Sequence, residues 1–147
     1  MPEARARVVL AFDFGLKRIG IASGDTLTRT AAPRGTFTNS PHGPDWSRID
    51  REMRLLAPDL LVVGAPYNDD GTPGLIAGQA SAFALELRQR YGLQVERMDE
   101  RYSSTEAESL LREQRASGQR RKAVRKGDVD SAAAAVILES WLEAQVT

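Results

Sequence analysis

Residues 7–23 decide the fold, and they read RVVLAFDFGLKRIGIAS. The run from Arg7 to Phe14 is almost entirely apolar, as is typical of a strand that is buried on both faces. Gly15 interrupts this run, and residues 19–23 have the pattern of a second strand. So short a break predicts a tight antiparallel hairpin between the two strands.

Helices and strands alternate along the rest of the chain. A helix is predicted to begin at Pro44–Asp45 and to end before Pro58, because apolar residues recur there at helical spacing. The other expected elements are strands at 31–37, 59–66 and 93–98, and helices at 75–91, after the capping-box pair Ser103 and Glu106, and at about 128–144. This order contains no repeat and no linker. It predicts a single domain over residues 1–147, built as a mixed sheet covered by helices.

The composition excludes several classes of protein and site. The chain has no cysteine, which rules out disulfides, cysteine-ligated zinc and a thiol nucleophile. It has no apolar run of about 18 residues, and its N-terminus lacks the pattern of a secretory signal, so we expect a cytoplasmic protein that does not span a membrane. His42 is the only histidine, and its Pro/Gly-rich surroundings predict a surface position without a catalytic role.

Charge is balanced over the whole chain but not locally. Lysine and arginine together number 20, as do aspartate and glutamate. Between residues 112 and 126, however, a single acid, Glu113, faces the bases Arg112, Arg115, Arg120, Arg121, Lys122, Arg125 and Lys126. This stretch has no apolar periodicity. We therefore expect a basic, mobile loop around residues 115–127 that attracts anions.

Two aspartates occupy positions where apolar core is expected. Asp13 lies inside the first strand, where an ionised carboxylate needs a partner or a metal. The alternative for Asp13 is a strand-end residue that accepts turn hydrogen bonds. Asp130 lies on the same helix face as Ile137 and Trp141, and the alanines at 132–135 let that helix approach a sheet closely. The alternative for Asp130 is a favourable charge on the helix dipole.

Further acids follow another strand and begin the last helix. Asp99 and Glu100 come after a strand of the parallel type, at the end where open α/β sheets bind ligands. Strand alternation turns their side chains to opposite faces, so only one of them faces a given site. A solvated loop with a surface ion pair is the alternative for both. Asp128 is expected to be the N-cap of the last helix, which would then begin at Val129.

Acids at the ends of three core elements point to metal-dependent chemistry. Clustered carboxylates repel one another unless cations neutralise them. Ligand sets made only of carboxylates suit Mg²⁺ or Mn²⁺. Two such metals about 4 Å apart serve phosphodiester hydrolysis, in which one activates a water and the other stabilises the leaving oxygen. The sequence therefore predicts a metal-dependent nuclease.

Four stretches together resemble the YqgF/RuvX family: FDFGLKRIGIASGD, VVGAPYNDDG, DERYSSTEA and KGDVDSAAAAVILESWL, in this order over most of the chain. The family is described both as Holliday junction resolvases and as nucleases of pre-16S ribosomal RNA. It is similar in fold to RNase H and to the RuvC resolvase. The resemblance implies an α/β, RNase H-like fold with a five-stranded mixed sheet, its first three strands antiparallel, and helices on both faces.

The resemblance also implies which residues form the site. The family's strand-one aspartate falls on Asp13, the glutamate of its DER motif on Glu100, and its late-helix aspartate on Asp130. These three are the expected catalytic, metal-binding acids. Asp128 is not part of the family pattern and is a lower-ranked fourth metal ligand.

Basic residues near the acids are candidates for binding phosphates, which would fix the register of a nucleic-acid strand. The expected nucleic-acid-binding residues are Lys17, Arg18, Arg101, Arg120, Arg121, Lys122, Arg125 and Lys126. Ion pairs with the acids are the alternative explanation for Lys17, Arg18 and Arg101. The basic loop would add affinity that falls with salt.

Several functions are compatible with this site. RNA is favoured over branched DNA, because Tyr67 and Tyr102 follow strand ends where they could stack bases. The resemblance to the family implies that the RNA is pre-16S rRNA and that a ribosomal particle is a partner. A Holliday junction resolvase would be a homodimer, whereas an RNA-processing enzyme can be a monomer. A catalytically silent nucleic-acid-binding or transcription-associated factor would have no reason to keep three inward acids. An ATPase of the sugar-kinase or actin class would need a second such domain.

Overall fold

The computed structural model describes residues 7–65, 75–99 and 126–144. The strands are β1 (Val8–Phe14), β2 (Arg18–Asp25), β3 (Ala31–Ser40), β4 (Gly43–Pro44), β5 (Leu60–Ala65) and β6 (Gln94–Asp99), and the helices are α1 (Trp46–Leu56), α2 (Leu75–Tyr91) and α3 (Lys126–Ala144). No helix in these ranges is long and apolar enough to cross a membrane.

The sheet is mixed and has the strand order β4-β3-β2-β1-β5-β6. β1 is antiparallel to β2, and β2 is antiparallel to β3. β1 and β5 are parallel, as are β5 and β6. The predicted hairpin and the antiparallel arrangement of the first three strands are therefore confirmed. Because β1 lies in the middle of the sheet, both of its faces are covered, which explains why its sequence is apolar almost throughout.

The sheet has six strands instead of the five expected. The additional strand, β4, has two residues, and it pairs only with Asn39 and Ser40 at the end of β3. Pro44, which was expected to begin a helix, belongs to this short strand, and α1 begins two residues later with Asp45 as its N-cap. The Asp45 side chain accepts a hydrogen bond from the Arg48 N–H at 3.2 Å. A proline cannot donate to a sheet, which is consistent with pairing that stops there.

Helices cover both faces of the sheet, as predicted. The first core cluster packs β1 side chains of even number, such as Leu10 and Phe12, against α1 and α2. The second packs β1 side chains of odd number, Val9 and Ala11, against α3. Strand alternation thus assigns each β1 residue to one of two faces. The face that carries Val9 and Ala11 and packs against α3 is called the α3 face.

Aromatic packing joins α1 and α2 to the sheet. The Phe83 ring of α2 lies with its centroid 5.5 Å from that of Phe12 and 5.3 Å from that of Phe14. It also lies 5.8 Å from the Trp46 ring of α1. The Arg90 guanidinium covers the other side of this contact, 3.9 Å from the Trp46 ring centroid. Ring pairs at these separations stabilise a core beyond their buried area.

A buried glutamate fastens α1 to β3. Glu52 is 3% exposed, and its carboxylate accepts hydrogen bonds from Arg34 Nε at 3.2 Å and from an Arg48 terminal nitrogen at 3.3 Å. The same Arg48 nitrogen donates to the Arg34 backbone carbonyl at 3.2 Å. A buried charge paired in this way is costly to break by removing one partner. Nothing in the helical pattern of the sequence marked Glu52 as buried.

Helix α3 packs unusually close to β5. A Cβ built on Gly64 would lie 2.5 Å from Ile137 Cδ1 and 3.1 Å from Ile137 Cγ1 and Cγ2. Ile137 is fully buried, as are the alanines at 132–134 that precede it. The small residues of α3 and the missing side chain at residue 64 together allow this approach, which confirms the expectation that the alanines bring the helix close to a sheet.

Asp25 closes the turn between β2 and β3. One Asp25 carboxylate oxygen accepts hydrogen bonds from the Thr28 N–H at 2.7 Å and from the Leu27 N–H at 2.9 Å. These donors, led by the Thr28 N–H, lower the pKa of the Asp25 carboxyl below its ordinary value. The turn also needs Arg29 at a positive φ of 56°, so the carboxylate holds a backbone conformation that a non-glycine residue rarely adopts.

Replacing Gly64 should test the close packing of α3. We expect Gly64→Ala to lower the free energy of unfolding by about 1–3 kcal/mol, because the added methyl group overlaps a buried side chain. Adding Ile137→Val, which removes the atom nearest to the new methyl, should recover part of that loss. Gly78→Ala is the matched control, since a Cβ there meets nothing within 4 Å. Chemical denaturation measures all four proteins, and equal stability of Gly64→Ala and the wild type would contradict the packing.

Replacing Asp25 should change the pH dependence of stability. A carboxyl whose pKa is lowered by folding stabilises the fold above its unfolded pKa, near 3.8, and loses that contribution as pH falls through the folded value. We therefore expect Asp25→Asn to unfold at a lower temperature than the wild type at pH 7. The gap should close below about pH 4. Thermal unfolding at a series of pH values measures it, and a gap that does not vary with pH would contradict the assignment.

Candidate functional site

Asp13 is a buried carboxylate at the carboxyl end of β1. It is 8% exposed, and its register partners are Gly20 on β2 and Gly64 on β5. Strand alternation places it on the α3 face with Val9 and Ala11. Since both register partners are glycines, no Cβ flanks Asp13 on either neighbouring strand. The sequence-based expectation that Asp13 is buried is confirmed.

The carboxyl ends of three parallel strands lie at one edge of the sheet, which we call the carboxyl edge. Asp13, Gly64 and Met98 are in register across β1, β5 and β6. Met98 packs with the cluster on the α3 face. Asp99 ends β6, and Glu100 lies outside the described residues. Open α/β sheets bind ligands at this kind of edge.

The direction of α3 relates its N-terminal turns to this edge. Ile137 packs over Gly64. One turn later, Trp141 donates a hydrogen bond from Nε1 to Glu96 at 3.3 Å, and Glu96 pairs with Val62, two residues before Gly64. The helix therefore runs away from the carboxyl edge as the chain proceeds. Its N-terminal turns accordingly lie towards the edge that carries Asp13.

Asp130 and Asp128 both lie in the N-terminal turns of α3. Helical periodicity puts residue 130 in line with Ile137 and Trp141, which are buried against the sheet. The structure does not describe the side chains of residues 126–131. Asp128 was expected to be the N-cap, and that expectation is wrong, because the helix begins at Lys126.

Other predicted site residues fall on parts of the chain that the structure leaves undescribed. They are Glu100, Arg101, Arg120, Arg121, Lys122 and Arg125, together with Tyr67 and Tyr102. The predicted basic loop also lies there, except that Lys126 and Gly127 belong to α3. The assignment of these residues to the site stays a prediction.

The described side chains do not include a complete set of metal ligands. Among them, no three histidine, aspartate or glutamate residues lie close enough together to hold a metal ion. Asp13 is nevertheless of the right chemical type, since carboxylate oxygens are the ligands that Mg²⁺ and Mn²⁺ prefer. It also lies on the face and at the edge that α3 approaches with Asp130. The participation of Asp13 in a divalent-cation site stays a prediction.

The hairpin that follows Asp13 is held by Asn39, which sequence reasoning missed. Asn39 is 9% exposed, and its Nδ2 donates to the Gly15 carbonyl at 2.6 Å. Its backbone N–H donates to the Lys17 carbonyl at 2.9 Å. Gly15 itself has no room for a side chain, because a Cβ there would lie 2.5 Å from the Arg18 carbonyl oxygen. The turn beside the candidate site is therefore held from β3.

The two basic residues of this hairpin are placed differently. Lys17 is exposed in the turn, and none of the ion pairs within the described part of the chain involves it. Arg18 begins β2 and is half-buried. Lys17 is thus accessible to an anion from solvent, next to the carboxyl end of β1. Its role in phosphate binding remains a prediction.

Comparison with known proteins was made by sequence and by structure. The model of the RuvX family, described as Holliday junction resolvase, matches residues 7–144. A protein of Proteus mirabilis named "Putative pre-16S rRNA nuclease" is 46% identical over 139 residues, which is 95% of this chain and 97% of the relative. A protein of Serratia proteamaculans with the same name is 44% identical over 140 residues, which is 95% and 97% of the two chains.

Two solved structures support the fold. Thermus thermophilus RuvC in complex with a Holliday junction substrate matches with a TM-score of 0.53 and 18% identity, over 95% of both chains. A fowlpox virus resolvase in complex with Holliday junction DNA matches with a TM-score of 0.58 and 11% identity, over 95% of this chain and 99% of the other. At these identities the likeness shows a RuvC-like, RNase H-like fold alone. With the family model matched over residues 7–144, the chain belongs to the RuvX family.

Proposed function

We propose that this chain is a metal-dependent nuclease, a single domain that hydrolyses phosphodiester bonds at the carboxyl edge of its sheet. The observation that carries the proposal is Asp13, a buried carboxylate at the end of β1, flanked by two glycines and lying on the face that α3 covers. The RuvX family description and the name of the Proteus mirabilis relative support nuclease chemistry.

The proposed ligands are Asp13, Glu100 and Asp130, with Asp128 as a lower-ranked fourth. Strand alternation favours Glu100 over Asp99. Met98 packs on the α3 face, and Glu96 contacts Trp141 of α3, so a strand that continued its alternation by one residue would give Glu100 the face of Asp13. Asp130 comes from the helix whose N-terminal turns lie towards the same edge.

Mg²⁺ or Mn²⁺ fits this set of oxygen ligands, and a bound pair would activate the attacking water and stabilise the leaving oxygen. The chain's own contribution is to position the acids. Asp13 is fixed by a central strand, and the hairpin after it is held by Asn39. The N-terminus of α3 carries the positive end of a helix dipole, which stabilises the ionised form of an aspartate there.

Basic residues would hold the substrate by its phosphates. Lys17 is exposed in the hairpin that follows Asp13, so it can contact a phosphate that neighbours the scissile one. Arg18, Arg101 and the basic residues of the 115–127 loop (Arg120, Arg121, Lys122, Arg125 and Lys126) would extend this contact. Such contacts are independent of base sequence and weaken as salt rises.

The favoured substrate is pre-16S ribosomal RNA. This choice rests on the names of relatives that are 46% and 44% identical over nearly their whole length. The alternative, a Holliday junction resolvase, rests on the family description and on solved structures that share the fold. It would require a symmetric homodimer, because two opposed strands must be cut.

The first test replaces Asp13 by asparagine, which keeps the size of the side chain and removes its charge. We expect the rate of metal-dependent cleavage to fall more than about 100-fold. Losing a residue that only hydrogen-bonds to a metal ligand already lowers metal affinity or activity by about 10–100-fold. Asp45→Asn is the matched control, because asparagine caps a helix as well as aspartate does. The assay uses labelled single-stranded RNA, single-stranded DNA and a four-way DNA junction, with Mg²⁺, Mn²⁺ or a chelator.

The substrates in this assay separate the rival functions. Preferred cleavage of RNA supports rRNA processing, and symmetric cleavage of the junction supports the resolvase. Undiminished activity in Asp13→Asn would overturn the proposed site. If all three substrates are bound but none is cleaved at any metal concentration, the nuclease proposal fails in favour of a catalytically silent binder.

A second test compares two neighbouring acids. Glu100→Gln should abolish metal-dependent cleavage, whereas Asp99→Asn should retain it, because strand alternation turns only residue 100 to the face of Asp13. The two variants make the same chemical change at adjacent positions, so each controls for the other. Cleavage rates with Mg²⁺ and Mn²⁺ measure the difference. Loss of activity in Asp99→Asn alone would contradict the assignment of faces.

A further inference from the structure

A groove opens on the sheet face opposite Asp13, beside the same hairpin. It has a volume of about 590 Å³, and its lining includes Phe14, Leu16, Lys17, Asn39, Phe83 and Glu86. Phe14 follows Asp13 directly, and its side chain packs with the α1–α2 cluster on the other face of the sheet. The groove and the carboxylate are thus separated by one strand end and its turn.

The lining of this groove combines apolar walls with a few polar groups. Phe14 and Phe83 form its inner wall, and Leu16, 54% exposed, lies at the tip of the hairpin. Two prolines, at positions 41 and 44, also line it. Its volume lies within the range of about 300–1,000 Å³ that small-molecule sites occupy. A flat aromatic group with polar edges fits such a lining.

The charge of the groove favours an anionic occupant. Glu86, the acid in the lining, already accepts a hydrogen bond from Arg90 Nε at 2.8 Å. Lys17, the base in the lining, is exposed in the turn, and it takes part in none of the ion pairs among the described residues. The neutralised acid leaves the lysine as the side chain that sets the local charge. A group with a negative charge at the hairpin and a flat apolar part in the groove matches both features.

We propose that this groove binds an unstacked nucleobase of a single-stranded nucleic acid, with the adjoining phosphate on Lys17. The inference rests on the proposed nuclease function, since it assigns the groove to a nucleotide that neighbours the one cleaved at Asp13. A nucleic-acid strand that crosses the carboxyl end of β1 meets Asp13 on one face of the sheet, Lys17 at the turn, and the groove on the other face. Bases splayed from single strands are recognised in this way, through apolar contact and edge hydrogen bonds.

The test fills the groove without disturbing the core. Ala82 is exposed on α2 and lines the groove, so Ala82→Leu adds an apolar side chain there, and leucine is a good helix former. Gln89→Leu is the matched control, since Gln89 is exposed on the same helix but outside the groove lining. The probe is a single-stranded RNA hexamer with one 2-aminopurine, titrated in the presence of a chelator. Thermal unfolding confirms that each variant is folded.

We expect Ala82→Leu to raise the Kd for the hexamer by at least about fivefold and to abolish the change in 2-aminopurine fluorescence, because one stacked base contributes that much or more. Gln89→Leu should bind as the wild type does. Lys17→Ala should weaken binding and reduce the slope of log Kd against log salt by about 1. Wild-type affinity and fluorescence in folded Ala82→Leu would overturn the proposal, as would failure of the wild type to bind the hexamer.

Binding in chelator and cleavage in metal separate this inference from the proposed function. If the wild type binds the hexamer through the groove but cleaves no substrate, the groove assignment stands and the nuclease proposal fails. If the wild type cleaves and Ala82→Leu binds and cleaves equally well, the nuclease stands and the groove assignment fails.

Discussion

The contact of Ile137 with Gly64 is the constraint on which the rest of the structure depends. A residue without a side chain at position 64 lets Ile137 of α3 contact β5 directly, with Ile137 Cδ1 in the space a Cβ would fill. This contact fixes how far along the sheet α3 lies, and therefore where its N-terminal turns come relative to the ends of the strands. Because Gly64 is also the register partner of Asp13, the same contact sets the surroundings of the candidate site. A larger residue at 64 would move helix and site together.

Two buried carboxylates show why burial alone does not identify a functional acid. Glu52 is buried between α1 and β3, where Arg34 and Arg48 satisfy it, and it holds a helix to a strand. Asp13 lies instead at the carboxyl edge, between two glycines, where parallel strands end and towards which the N-terminal turns of α3 lie. The two carboxylates differ in where they lie in the sheet and in which residues the neighbouring elements place near them. It is this position that supports a metal site at Asp13 and a structural role for Glu52.

The hairpin between β1 and β2 connects the two surfaces that the proposals use. Asn39 holds it through two carbonyls, and Gly15 allows the chain to turn within a space that admits no side chain. Asp13 faces α3 on one side of the sheet, and Phe14 opens the groove on the other. A short and rigid turn can thus place a scissile phosphate and a neighbouring base at a fixed separation. That is the geometrical requirement for positioning a flexible single strand.

The sequence by itself determined five strands and the three helices of the described residues, together with the mixed sheet, the family resemblance and the burial of Asp13, because apolar periodicity and an acid inside an apolar run are local signals. The helix predicted after Ser103 lies outside the described residues. The sequence placed the start of α3 too late, at Val129, although Lys126 is already helical, and it missed β4, because a strand of two residues is too short for a periodic pattern to reveal. Only the tertiary structure decided that Glu52 is a buried ion-pair partner and that Asn39 holds the hairpin. It alone joined Gly64 to Ile137 and put a groove beside Lys17. These features bring together residues far apart in the chain, and sequence spacing carries no signal for them.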